Sequence, residues 1–81
     1  MFLGTFKIKN NTLLKDLINV EADTVYLIQN QGVEAIKLSD TDKDEGILIK
    51  YLNNCKYKKG SGDLNIYTDK ETSIAIWKQE Y

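Results

Sequence analysis

Two stretches of the sequence combine residue types that could do chemistry. The first is Asp40-Thr41-Asp42-Lys43-Asp44-Glu45-Gly46, which looks like the start of a calcium loop. Such a loop needs carboxylates at positions 1, 3 and 5, glycine at 6 and a bidentate glutamate at 12. Counted from Asp40, the first three are met, but Glu45 stands where glycine is required and Tyr51 where glutamate is. A solvated loop is the plainer reading, and an adventitious cation site the alternative. The second stretch is Lys56-Tyr57-Lys58-Lys59-Gly60-Ser61-Gly62. Lysines beside aromatics are what a single-stranded nucleic acid asks for, with Tyr51, Tyr57 or Tyr67 under bases. The spacing is not that of a phosphate-binding glycine loop. Without arginine the chain also lacks the bidentate clamp for phosphate and guanine.

Residue types that are missing exclude more. The 81-residue chain contains no His, no Pro and no Arg, and a single Cys, Cys55. A Ser-His-Asp triad, a Cys-His pair, a zinc site and an internal disulfide are all excluded. Asp16, Glu34 and Asp63 are carboxylates, but no spacing pairs any two of them on one element. Without histidine a base working at neutral pH would need a strongly shifted carboxylate or lysine. The expectation is a non-enzyme with no catalytic residue, no metal ligand and no cofactor. Cys55 reads as a small, partly covered side chain in or near a strand.

Net charge is -1, from 11 basic and 12 acidic residues, which argues against a chain whose main task is neutralising DNA. The charge lies in blocks. Residues 21–45 carry seven acids against two lysines, and residues 46–62 carry four lysines and no acid. Met1-Phe2-Leu3-Gly4 is too short for a secretory core, and no apolar run approaches the roughly 20 residues of a membrane span. The Asn10-Asn11-Thr12 sequon reads as chance.

Length and 42% hydrophobic content fit one globular domain over 1–81. Its elements read as strands. Phe2 to Ile8 alternates with period two, followed by a turn cluster at Lys9-Asn10-Asn11. Thr12 to Val20 reads as a single helical turn or an irregular extended piece. Thr24 to Asn30 is rich in β-branched and aromatic residues. With Val33 to Ser39 it predicts a hairpin in which Gly32 takes a positive φ. Gly46 to Tyr51 and Cys55 to Lys58 read as further strands. Asp63 to Thr68 and Thr72 to Lys78 predict a last hairpin around Asp69-Lys70-Glu71. The sum is an all-β fold, a small antiparallel β-sandwich or barrel of six to seven short strands. The core is drawn from Phe6, Ile8, Leu17, Val25 or Tyr26, Leu27 or Ile28, Ile36, Leu38, Ile47, Ile49, Leu64, Ile66, Ile74, Ile76 and Trp77. A run such as Val25-Tyr26-Leu27-Ile28 does not reveal its inner face.

The order of these pieces resembles a known group. TVYLIQNQG, an acidic loop, GILIKY and then KKGSGDLNIYTDKETSIAIW are similar to small all-β structural proteins of tailed bacteriophage virions. There a Y-x-I-Q-N strand and small turn precede an aliphatic G-x-x-L element, a glycine-bearing loop and a closing T-S-x-I-x-V hairpin. Leu13 to Val20 (LLKDLINV) matches the W/L-x-D-L-I-x-V stretch that comes before. The resemblance covers about Leu13 to Lys78. It departs where the group has Pro-Gly and this chain has Tyr51-Leu52-Asn53.

The resemblance implies a virion component, made in the host bacterial cytoplasm. It would be a capsid decoration or cement protein or a head–tail attachment module. Its partners would be further copies of itself (a homo-oligomer) and other virion proteins, with no membrane and no nucleic acid. A small domain without disulfide or metal gains stability by docking, which agrees. Residues 1–8 are expected to form an interface strand or arm. The residues expected at an interface are Phe2, Phe6, Tyr26, Tyr51, Tyr57, Lys58 and Lys59. Two alternatives are a small phage inhibitor of a host defence protein and a single-stranded nucleic-acid-binding barrel built on the 46–62 segment.

Overall fold

The computed structural model describes residues 1–39, 46–58 and 63–79. Among these residues six strands, all paired antiparallel, form one curled half-barrel sheet: β1 (Phe2–Leu13), β2 (Val25–Asn30), β3 (Ile36–Ser39), β4 (Ile47–Ile49), β5 (Asn54–Lys58) and β6 (Asn65–Lys78). One short 3₁₀ turn, Leu14–Asp16, follows β1. Among the described residues no helix is long and apolar enough to cross a membrane.

The axis of the sheet is β6. Along one edge it pairs with β1 from Phe2↔Trp77 to Leu13↔Asn65. Against its other edge lie β2, over Ile74 to Lys78, and then β3, over Asn65 to Tyr67. Outside these, β5 pairs with β2 and β4 with β3. The sheet therefore has four ribbons: β1 and β6 run its full length, and the other two are each made of two strands in succession, β2 then β3 and β4 then β5.

This arrangement corrects two predicted hairpins. Asp69-Lys70-Glu71 does not turn the chain, and β6 runs straight through it. Ile66 and Thr68 before it, and Thr72, Ile74 and Ile76 after it, are all buried. That shared even-numbered phase keeps both halves on the inner face of one strand. Asn30-Gln31-Gly32 does not reverse the chain either, because β2 and β3 follow one another along β6. Gly32 does not take a positive φ; among the described glycines only Gly4 does. The position needs glycine for space, since a Cβ there would lie 1.6 Å from Thr72 Oγ1 and 2.9 Å from Thr72 Cβ. The Lys9-Asn10-Asn11 cluster is also no chain reversal: β1 continues to Leu13, with a register shift between Ile8 and Asn10. Asn10 takes φ 62°, which asparagine tolerates better than most residues.

The concave face holds the core. Ile8, Leu14, Ile28, Ile36, Leu38, Ile49, Leu64, Ile66, Ile74 and Ile76 are buried there together with Tyr26. The choices left open at Val25/Tyr26 and Leu27/Ile28 resolve to Tyr26 and Ile28. Two expected core members lie elsewhere: Ile47 is 59% exposed on the short strand β4, and Trp77 is half-buried on the outer face. The segment after β1 closes one end of the half-barrel. Leu14 is fully buried and its N–H donates to Leu64 O, while Leu17, Ile18 and Val20 pack on the core. Tyr26 latches this plug: its hydroxyl donates to Asn19 O at 3.3 Å and accepts from Glu21 N–H at 2.8 Å.

Asn30 holds the break in the two outer ribbons. It is fully buried at the end of β2. Its Nδ2 donates to Glu34 O (2.7 Å) and Ile49 O (3.0 Å), and its Oδ1 accepts from Gly32 N–H (2.9 Å) and Thr72 Oγ1 (3.5 Å). Its backbone N–H donates to Asn53 O and its carbonyl accepts from Leu52 N–H. One side chain thus ties β6, the β2–β3 link and the end of β4 together. Asn30→Ala would strand buried backbone groups, each costing about 1–3 kcal/mol. It should lower the urea midpoint by the equivalent of roughly 3 kcal/mol or more. Asn30→Asp has the same shape but, ionised, cannot donate to either carbonyl. It should be strongly destabilised at pH 7 and regain stability in acid, where protonation returns one donor. An Asp variant as stable as the parent at neutral pH would remove Asn30 from this role.

A strained point lies where β4 gives way to β5. Asn53 N–H donates to Lys50 O at 3.0 Å, closing a β-turn whose third residue, Leu52, sits at φ 61°. Glycine or asparagine suits that position, and a leucine there costs about 1–2 kcal/mol. Leu52→Gly removes this strain and loses part of the gain to glycine's freer unfolded chain. The variant is expected to be more stable by up to about 1 kcal/mol in urea unfolding; a lowered midpoint would mean the leucine side chain contributes more than its backbone costs.

Candidate interaction surface

Cross-strand register sets out the convex face row by row. Opposed residues share a face, so Lys56, Leu27, Trp77 and Phe2 form one line across β5, β2, β6 and β1. The next line is Asn54, Gln29, Ala75 and Thr5, and beyond it Ser73 stands beside Lys7. The first line is apolar at its centre. Phe2 is 54% exposed, and its ring centroid lies 5.2 Å from that of Trp77 in a tilted contact. Aromatic pairs favour such an arrangement, and each ring limits the freedom of the other. Leu27 and Trp77 are half-buried and belong to no part of the core cluster. Val25 lies on the same face, opposite Lys58.

The bulge at Leu3 and Gly4 sets this geometry. It lies between the Phe2↔Trp77 and Gly4↔Ile76 pairs and lets Leu3 turn onto the core while Phe2 stays outside. Gly4 has φ 142°, and a Cβ there would press on the Phe6 ring at 3.3 Å. The chain start is tied in as well: the Met1 amino group donates to Lys78 O, and Lys78 N–H donates to Met1 O, both at 2.7 Å.

A second group of exposed apolar side chains lies at β4 and its turn: Ile47, Leu48, Tyr51 and Leu52. The Leu52 backbone is held by Gln29 Nε2, which donates to its carbonyl at 3.1 Å. Between the β1 and β4 margins, an open groove of about 410 Å³ runs over Lys37, Tyr67, Asn10, Asn11 and Asp69.

The residues expected at an interface separate into different places. Phe2 and Lys58 share the convex face. Tyr51 is exposed on the Lys50–Asn53 turn. Tyr26 is a correction: at 1% exposure it is a core residue whose hydroxyl is occupied by the plug, so it offers nothing to a partner. Phe6 and Tyr57 are partly buried and pack on the core from the concave side. Lys59 lies outside the described residues, as do the rest of the glycine loop and Asp40 to Glu45 of the acidic loop. Residues 1–8 are not a detached arm, because Phe2 to Ile8 pair with Trp77 to Thr72 of the same chain. Any strand addition there must use the far edge of β1.

Tyr51, Tyr57 and Tyr67 do not form one stacking platform. Tyr57 faces the core, Tyr51 occupies a turn, and Tyr67 lies in the groove of the other half-sheet. The sequence pattern puts Trp77 and Leu27 among core candidates and Lys56 in a basic segment, and does not bring them together with Lys7 on one surface. A signal was present: extending the even-numbered phase of Ile66 through Ile76 turns Trp77 outward.

Among the described residues no group of three metal-ligating side chains converges. Cys55 is half-buried, its Sγ 3.4 Å from Lys56 O, beside a gap of about 160 Å³ lined by Leu38, Ile47, Tyr57 and Leu64. Burial pushes its thiol pKa up, so the thiol stays protonated at neutral pH. Alkylation of Cys55 by iodoacetamide at pH 7 should be several-fold slower than that of a free thiol, and should speed up in urea. Equal rates in folded and unfolded protein would contradict the burial.

No family model, curated protein or solved structure matches this chain.

Proposed function

We propose that the chain is a structural component of a bacteriophage virion, a capsid decoration or cement protein or a head–tail attachment module, that acts by protein–protein association. One observation carries the association. The core of this small domain is closed, yet large apolar side chains remain more than half exposed outside it: Phe2 on the convex face, and Ile47, Leu48, Tyr51 and Leu52 on β4 and its turn. Large apolar side chains left exposed in groups mark places where another molecule can sit. The virion assignment is supported by the resemblance of the ordered strand sequences from Leu13 to Lys78. The same surfaces would serve an inhibitor of a host protein, but no feature of the fold favours that reading.

The test is made in infected cells. The protein should sediment with assembled particles and appear in their mass spectra in many copies. Recovery solely in the soluble fraction, bound to a single host protein, would replace the virion reading with the inhibitor.

A further inference from the structure

We propose that the convex face formed by Phe2, Leu27 and Trp77, framed by Lys7, Lys56 and Lys58, docks a protein segment that presents an apolar side chain flanked by carboxylates. The inference rests on the association reading above and adds the surface and the partner's chemistry.

Burial and register define the surface. Phe2, Trp77 and Leu27 stand side by side on three adjacent strands, and none belongs to the core cluster. The row is ordered before anything binds. Trp77 and Leu27 are half-buried, Phe2 rests on Trp77, and all three lie on paired strands. Rigid aromatic and aliphatic side chains at the centre of a patch are where binding energy concentrates.

Charge selects the occupant. The chain as a whole is nearly neutral, with 12 acids against 11 lysines. The outward positions of this half-sheet are different. Residues 2, 5 and 7 of β1, 73, 75 and 77 of β6, 25, 27 and 29 of β2, and 54, 56 and 58 of β5 include three lysines and no acid. Asp23 reaches only the rim, 3.9 Å from Lys58. Lys56 ends the apolar row on β5 and Lys58 stands beside it opposite Val25, while Lys7 lies on the other margin, on β1, two rows along and opposite Ser73. An apolar centre inside a charged rim is the anatomy of a protein interface.

Two other occupants fit less well. A second copy laid face to face would bring two sets of three lysines together, and like charges across an interface oppose docking. A single-stranded nucleic acid would want bases on successive aromatic rings and a continuous cationic track. Here Leu27 and Val25 occupy half of the apolar surface, and the lysines are split between opposite margins.

Trp77 is the sole tryptophan of the chain and stands inside the surface, so its emission reports occupancy directly. Tryptophan-free random peptides are selected on the immobilised protein. Enriched peptides should carry Leu, Ile or Phe beside Asp or Glu, and should shift Trp77 emission to the blue. The K56E/K58E double variant, both positions being exposed on β5, should keep its melting temperature and bind these peptides roughly tenfold more weakly or worse. Phe2→Ser should weaken binding similarly, and Lys70→Glu, on the other half of β6, should not. Enrichment of peptides without acids, or binding indifferent to K56E/K58E, overturns the proposal. So does quenching of Trp77 by oligo(dT) with steep salt dependence, or a blue shift that grows with protein concentration alone. Incorporation into particles separates the two readings. If K56E/K58E enters particles as well as the parent does, the docking face falls and the virion reading stands. If peptides dock as described but the parent is absent from particles, the virion reading falls and the docking face stands.

Discussion

The structure depends on one buried amide. A single sheet of 12- and 14-residue strands would be too long and flat to enclose a core in 81 residues. It encloses one because the sheet curls and its two outer ribbons, β2–β3 and β4–β5, are broken. At these breaks the backbone leaves its ladder, and the freed carbonyls and N–H groups are buried, where an unmade hydrogen bond is expensive. Asn30 satisfies them from one position, donating to Glu34 and Ile49 and accepting from Gly32 and Thr72. No apolar residue could do so, and a carboxylate could do half of it. Gly32 and Thr72 follow from the same constraint, because a Cβ on Gly32 would collide with Thr72.

Once the sheet curls, its two faces have separate tasks. The concave face is filled by isoleucines and leucines and closed at one end by the plug that Tyr26 latches. The convex face carries the half-buried Leu27 and Trp77 and the fully buried Ala75, with Phe2 and the lysines exposed around them. Its apolar row adds nothing to the closed core, and the described ion pairs, such as Lys15–Asp63 and Lys78–Glu21, are exposed to water and contribute little. Stability therefore comes from the concave face and the hydrogen bonds of Asn30. It is on the convex face that aromatic, aliphatic and cationic side chains meet.

A docking reading and a small size support each other. A domain of this length buries a modest fraction of its surface, and here no disulfide supplements it, since Cys55 is the single cysteine. Binding to a larger body stabilises the folded form by mass action. Lysines on both margins of the convex face also oppose indiscriminate stacking of copies, which an uncharged Phe–Trp–Leu surface would invite.

The sequence alone determined the all-β class and most of the core, because these follow from local alternation and β-branched composition. It excluded histidine, disulfide and zinc chemistry outright, because those depend on residue types that are missing. It did not reveal which turn-like clusters reverse the chain. Asp69-Lys70-Glu71 and Asn30-Gln31-Gly32 have the composition of turns, but what decides is whether the flanking strands find better partners elsewhere, and β6 offers both its edges to other strands. The same long-range pairing moved Tyr26 into the core and Trp77 out of it. Two adjacent apolar residues, Ile76 and Trp77, must point to opposite faces, and only the register with β1 and β2 says which. The interaction surface was hidden for that reason: its residues lie on four strands far apart in sequence, and nothing but their pairing places them in one row.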